Sequence, residues 1–429
     1  MDDRLQDSAR TWPAVVRTLG ANAVLCLVHS QQATVGGTQF EDEKMLALYD
    51  VKKVYMETTV SWELQWQPSS LAVPIPDGIE NMMEVKEACA GMGGIAQGLE
   101  AIGFRKIAAM DCNQLMCDTL QRNGYPKVIL GDVLVDTDRA LLHLNPYPTR
   151  CMLASGFHCQ PLSKQGGQRG QADSRSKPFH AVLKMAWEQQ GSAILLENVK
   201  GAHDAGYIQD GIQRLAWSLN MDFVQTILTL DRTWPCRRTR WWMLMKPVEY
   251  RIHAIPDLPE DQLLRQIGQL MPNWPFWSLD DEEALQLTEY ELVIMQDQRY
   301  GNDLRPLTRQ DVMPCFLHSY STALQACPCG CRETGFNPQR LLRDGVRGFY
   351  IVSMLTGKHR WLHPREAALF CGLDPKMQLP DDLRAGLCLV GKCASPLQAA
   401  WMGAHLLDAL HAGRGTPQKS LILYKMRLR

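Results

Sequence analysis

Two rhythms of apolar and polar positions alternate along the chain from residue 82 onward. Short, nearly continuous apolar runs at 107–110, 128–130, 151–155, 193–196 and 241–245, with the more mixed strand candidates 85–90 and 223–230, have the length of buried strands. Between them, apolar residues recur every three or four positions. Ile95, Leu99 and Ile102 are one such set, Phe179, Val182, Leu183 and Ala186 a second, and Ile208, Ile212, Leu215 and Leu219 a third. That spacing puts one apolar stripe on a helix. Strand and helix in this βαβαβ order predict an α/β fold built on a doubly wound, mostly parallel, Rossmann-like sheet.

The rhythm is confined to part of the chain. Residues 1–80 read as an N-terminal extension with a few short strands (23–28, 51–55, 62–66), joined through the proline-bearing stretch 69–78. The core spans 81–250. After Pro247 the pattern breaks: 251–298 is acidic and leucine-rich, whereas 299–360 holds nine basic residues against four acids, a net of +5. That makes 251–358 a smaller, irregular inserted region whose second half is the best candidate for a phosphate-facing surface. Residues 359–412 return to α/β texture. Ser395-Pro396 forms an N-cap and first-turn pair for a helix reaching about residue 411, and 413–429 is a tail.

Composition narrows the class further. Apolar residues at 45% and charged residues at 21% allow a sizeable core and exclude a disordered or coiled-coil chain. The balance of 45 basic against 46 acidic residues excludes a uniformly basic nucleic-acid binder but not a local basic face. No apolar run reaches the length of a membrane span. The 14 cysteines are scattered and follow no secretory signal, so they read as reduced thiols, and a cysteine with a special task must be found from its surroundings.

Four local features carry chemistry, each at a strand end. Gly91-x-Gly93-Gly94 lies between a strand and a helix, with Asp111 at the end of the next strand and Gly131-Asp132 after a third. Such a turn suits a nucleotide-type cofactor, and with Ala96 it also satisfies the dinucleotide fingerprint of a dehydrogenase. Cys159 follows the buried run 151–155. A neighbouring His158 and helix N-termini are expected to lower its thiol pKa. Glu197 can give or take one proton beside a nucleophile. Arg238 and Arg240, at i and i+2, suit a phosphate or a base carbonyl. Trp234, Trp241 and Trp242 are assigned to core filling. Cys327-x-Cys329-x-Cys331, with Cys315 and His318 nearby, lacks the usual spacing of a zinc site, so no metal is expected.

In order and spacing these features resemble the cytosine-C5 DNA methyltransferase family. The resemblance covers about residues 82–246 and 359–411. It implies a Rossmann-like methyltransferase that uses S-adenosyl-L-methionine, with Cys89, Gly91, Gly93, Gly94, Asp111, Asp132 and Ser395 around the cofactor. It implies Cys159 of Cys-Gln-Pro as nucleophile, Glu197 of Glu-Asn-Val as the acid, and Arg238 and Arg240 as the Arg-x-Arg pair. Asp173-Ser-Arg175 resembles a loop that moves over the nucleophile, His363-Pro-Arg365 a late structural motif, and Gly391-Lys-Cys-Ala-Ser-Pro396 the glycine motif that returns to the cofactor. Residues 251–358 fall where the family carries target recognition. The implied partner is duplex DNA with one cytosine flipped out of the stack, approached by a monomer, with RNA as an alternative substrate and a catalytically weak DNA-binding module as an alternative role. The implied compartment is the nucleus in a eukaryote and the cytoplasm otherwise. Five positions depart from the family pattern: Cys89 stands for an aromatic residue, Glu87 for Asp, His158 for Pro, Cys236 for Gln and Lys392 for Asn.

Overall fold

The structure, a computed structural model, describes residues 83–135, 151–162, 173–189, 192–248, 254–258, 310–316, 359–374 and 376–412, with shorter stretches elsewhere. Seven strands make the central sheet: β1 Glu84–Ala88, β2 Arg105–Asp111, β3 Val128–Leu130, β4 Cys151–Gly156, β5 Ala193–Val199, β6 Met221–Thr229 and β7 Thr239–Pro247. Their order is β3-β2-β1-β4-β5-β7-β6. All neighbours pair in parallel except β7, which runs antiparallel to both β5 and β6. The link from β6 to β7 is a short one through Leu230–Arg232, which suits antiparallel neighbours and leaves no length for a crossover helix.

Among the described residues seven helices flank the sheet: α1 Gly94–Glu100, α2 Gln114–Arg122, α3 Lys177–Gln189, α4 Gly206–Leu219, α5 Pro364–Phe370, α6 Leu383–Lys392 and α7 Pro396–Ala412. Successive strand residues serve opposite faces. Met152, Ala154, Leu195, Trp242 and Leu244 join a core with α1, α2, α5, α6 and α7. Leu153, Ile194, Leu196, Trp241 and Met243 join a second core with α3 and α4. Trp234, Trp241 and Trp242 are buried, as expected of core filling. Among the described residues no helix is long and apolar enough to cross a membrane.

The C-terminal return is fastened to the front of the core. Glu366 caps α5 through the His363 amide and takes both guanidinium nitrogens of buried Arg360 at 2.8 and 2.9 Å. The helix α7 lies along α1 so closely that a Cβ at Gly98 would fall inside the Pro396 carbonyl, and one at Gly94 inside that of Ala394. Gly98→Ala is therefore expected to destabilise the protein by about 1–3 kcal/mol, since backbone cannot move aside as a flexible side chain can. Thermal unfolding checks it, and an unchanged midpoint would contradict it.

Outside the core, the expected strand near 23–28 is present as Ala23–Leu27, paired with Val15–Leu19. The expected strands at 51–55 and 62–66, the linker 69–78, most of the basic span 299–360, His318 and Cys327, Cys329 and Cys331 lie outside the described residues. Among the described residues no group of His, Cys, Asp or Glu could hold a metal ion.

Candidate active site

Strand order reverses between β1 and β4, and this is where an open α/β sheet forms a crevice at its carboxyl edge. The glycine turn after β1 forms one wall. Cys89, Gly91 and Gly93 all take positive φ (51°, 56° and 79°), a backbone that glycine adopts freely and cysteine only under strain. Asp111 holds the turn in place: its carboxylate accepts the Gly91 amide and the Asn113 amide, each at 2.9 Å. Asp132 accepts the Leu134 amide at 2.9 Å one strand further along.

The first turn of α1 is capped from within. Buried Glu87, near the end of β1, accepts the Ile95 and Ala96 amides at 3.3 and 3.0 Å. A dinucleotide-binding turn keeps such amides for a diphosphate. Here a carboxyl group fills that place, with Asp111 and Asp132 beside the turn. Their field shows in Cys89, whose thiol is pushed up to about 12 by burial first and then by Asp111. This donor set repels a diphosphate, which argues against the dehydrogenase alternative. It suits a cationic sulfonium group with ribose hydroxyls.

The final glycine motif closes the turn from the other side. A Cβ at Gly91 would meet the Lys392 carbonyl oxygen at 3.8 Å, and one at Gly94 would also meet the Cys393 sulfur at 2.6 Å. Ser395 is buried at the head of α7, and its hydroxyl has no hydrogen-bond partner among the described residues. Lys392 faces the turn with its backbone carbonyl, so its replacement of an asparagine leaves that contact intact.

The second wall carries the thiol. Strand β4 ends at Gly156, directly opposite Glu197 in β5. A Cβ there would lie 3.3 Å from Glu197 Oε2, so glycine leaves the carboxylate room to lie across the strand end. The following residues are tied down by Asn198, whose amide donates to the Phe157 carbonyl at 2.9 Å, and by Arg175, which donates to Gln160 at 2.6 Å while held by Asp173. Cys159 stands exposed on this loop. The sequence points to Asn198 only as part of Glu-Asn-Val; its restraint of the nucleophile loop emerges from the sheet pairing.

Register brings the acid and one arginine together. Val199 faces Arg240 and Glu197 faces Trp242 across the β5–β7 pair, so Glu197 and Arg240 are diagonal neighbours on one face. Arg240 Nε lies 2.9 Å from Glu197 Oε1 in a nearly buried ion pair. That oxygen accepts no well-formed hydrogen bond among the described residues, so it retains capacity for a ligand. Both terminal nitrogens of Arg240 also lie 3.9 Å from the sulfur of Cys315, in the segment that follows the acidic region. Met313 pairs with the loop at Cys236, seating that segment beside the arginines.

Two expectations change in detail. Although Cys159 is accessible to solvent, the protein around its sulfur desolvates the thiolate and holds the thiol above its ordinary value, and the charge that most opposes this is Arg240, not His158 or a helix end. The two arginines also divide their tasks. Arg238 is buried and donates to the backbone carbonyls of Cys393 and Phe316, so it ties the final motif and the segment at 313–316 to β7, while Arg240 attends the carboxylate.

A reversed seventh strand, a carboxylate-lined glycine turn and a Cys–Glu–Arg cluster on one rim mark a Rossmann-like fold with its candidate site at the carboxyl edge. Residues 83–220 match the family model for C-5 cytosine-specific DNA methylase. Over that stretch, about a third of its length, the chain is similar to cytosine-C5 DNA methyltransferases. It is 40% identical over 119 residues to Type II methyltransferase M.NgoMIV of Neisseria gonorrhoeae (28% of this chain, 36% of that protein). It is 34% identical over 143 residues to Type II methyltransferase M.Eco47II of Escherichia coli (32% and 33%). The matched stretch is thus about a third of each relative's length. Among solved structures, Entamoeba histolytica methyltransferase EhMeth has the same fold at 16% identity and TM-score 0.56, covering 77% of this chain and 99% of that one. The Dnmt2 methyltransferase of S. pombe aligns at 16% and 0.53, covering 76% and 98%.

Proposed function

We propose that the protein methylates C5 of cytosine in DNA through a covalent bond between Cys159 and C6. The observation that carries this is the Glu197–Arg240 pair on the same rim as an exposed thiol, next to a turn suited to a sulfonium cofactor. C5 of cytosine becomes nucleophilic only when C6 has been attacked and the ring has become an enamine. Cys159 makes that attack as thiolate. Glu197 shares a proton with N3 and accepts from the exocyclic amine, so the charge placed in the ring is neutralised where it develops. Arg240 donates to O2. The turn from Cys89 to Gly94, Asp111 and Asp132, and the Ser395 motif would hold S-adenosylmethionine, which would supply an electrophilic methyl carbon to C5 and leave as S-adenosylhomocysteine. Transfer of the C5 proton to water then expels Cys159 as thiolate, returns the N3 proton to Glu197 and restores the aromatic ring.

A base in a duplex hides C6 in the stack, so the reaction needs a flipped cytosine and a second surface that grips the strand. The basic span 299–360 is proposed for that grip. Three of the five departures from the family pattern are accommodated, which favours an active enzyme over a silent binding module: Glu87 caps α1, Cys236 is buried beside the arginines, and Lys392 meets the turn through its backbone.

Because the protein around its sulfur desolvates the thiolate and raises the Cys159 thiol, little thiolate is present in the free protein at neutral pH. Alkylation of Cys159 by iodoacetamide, followed by mass spectrometry, should rise about tenfold per pH unit from pH 7 to 8. A rate already level below pH 7 would contradict this. The function itself is tested by methyl transfer to duplex DNA and to tRNA side by side. Label in DNA cytosine is the expected result; label in tRNA alone would move the substrate to RNA, and label in neither would overturn the enzymatic assignment.

A further inference from the structure

We propose that Glu87 is a neutral carboxylic acid that donates a hydrogen bond to Tyr125, and that this pair positions the glycine turn for its cofactor. The inference deepens the assignment of that turn to S-adenosylmethionine and rests on it. It starts from a count of hydrogens. The Tyr125 hydroxyl oxygen lies 2.9 Å from the Gly93 carbonyl oxygen and 3.2 Å from Glu87 Oε2. A carbonyl can only accept, and a phenol brings one hydrogen. If that hydrogen goes to Gly93, the contact with Glu87 has none unless the carboxyl group carries its own. With Glu87 ionised, one of the two contacts sets bare oxygen lone pairs against each other in a buried place, which is costly. With Glu87 protonated, the chain Glu87 to Tyr125 to Gly93 is complete, and the carboxyl oxygens still accept the Ile95 and Ala96 amides.

The surroundings favour the neutral form. Burial pushes the Glu87 carboxyl up to about 8, against the pull of its contacts with the Ala96 amide, Tyr125 and the Ile95 amide, and Asp111 at the end of β2 adds a smaller push upward. Tyr125, from the turn before β3, and Cys393, from the turn before α7, also face this cluster, and Glu100 bears on Tyr125. The cation Lys106 lies over the Tyr125 ring, 5.1 Å from its centre. The tyrosine has little freedom, since a Cβ at Gly93 would overlap its ring at 2.5–2.6 Å and its hydroxyl more closely still. Gly93 is the N-cap of α1 with φ of 79°, so what holds its carbonyl sets the direction of the turn. Tyr125 and Glu87 are thus positioning residues that act on the cofactor through Gly91–Gly93.

Two measurements test this. The infrared spectrum of the cofactor-free protein at pH 7 should contain a protonated-carboxyl band that disappears in Glu87→Gln. Calorimetry with S-adenosylhomocysteine should show wild-type affinity falling as pH rises through about 8. Glu87→Gln, which cannot titrate, should lose that pH dependence; its amide nitrogen can donate to Tyr125 but cannot also accept the Ala96 amide, so binding at pH 7 should fall a few-fold, less than in Tyr125→Phe. Tyr125→Phe should bind about tenfold more weakly, with circular dichroism confirming that each variant is folded. A missing Glu87 band, Glu87→Gln binding lost at every pH, or Tyr125→Phe binding like wild type would overturn the inference. A wild-type protein that shows the band but binds no S-adenosylhomocysteine would instead overturn the cofactor assignment and, with it, the positioning role.

Discussion

Serine at position 159 should bring methyl transfer to at least about 10⁴-fold below wild type while leaving the fold untouched. A serine hydroxyl is far less acidic and less polarisable than a thiol, and of the described groups whose charge bears on this position Glu197 is paired with Arg240 and the two arginines are cations. Cys159 is exposed on a loop held by its neighbours' bonds, not by its own side chain, so stability should stay within about 0.5 kcal/mol. Initial rates with labelled cofactor and thermal unfolding of the same preparation check both halves. Residual activity above about 1% in a folded Cys159→Ser would mean that the thiol is not the nucleophile.

Changes at Glu197 should separate activity from stability in a different way. Glu197→Gln keeps the shape but loses the ability to neutralise charge developing at N3, with an expected loss of about 10²–10⁴-fold in rate. Glu197→Ala should do the same to the rate and in addition leave the Arg240 charge nearly buried without its carboxylate, at a cost of about 3 kcal/mol. The pattern expected is therefore two equally slow enzymes, of which the alanine variant alone unfolds early. A fast Glu197→Gln, with kcat within tenfold of wild type, would remove Glu197 from the chemistry.

Much of this arrangement is legible in the order of residues. The strands lie within a few residues of the apolar runs, and α1, α3 and α4 follow the three apolar stripes, because helices with one wet face keep a period. The helix α5 has no such signal: from Pro364 to Phe370 all but Arg365 are buried, so the periodic contrast is absent. The reversal of β7 is equally silent, since a strand's pattern has no direction.

Within the site, the strand-end residues are readable because doubly wound sheets gather them on one rim. Their through-space partners are not. Arg240 meets Glu197 through a register set by nine residues of antiparallel pairing between β6 and β7 and by β7 on β5, and its effect on Cys159 follows from that. Glu87 stands out in the sequence only as a variant of an aspartate, although a carboxyl group in a strand buried from Val85 to Ala88 is itself a signal of a capped helix or a held proton. The sulfur of Cys315 reaches the arginine from a segment whose sequence gives no strand or helix period.

The most direct test of the account is covalent capture. A duplex containing 5-fluorocytosine at the target position permits attack at C6 and methylation at C5 but offers no C5 proton to lose, so the sulfur–carbon bond cannot be broken by elimination. With S-adenosylmethionine present, intact-mass spectrometry of wild-type protein should show the DNA adduct, and peptide mapping should place it on Cys159. An adduct on another cysteine, or methylated duplex with no adduct at all, would contradict it.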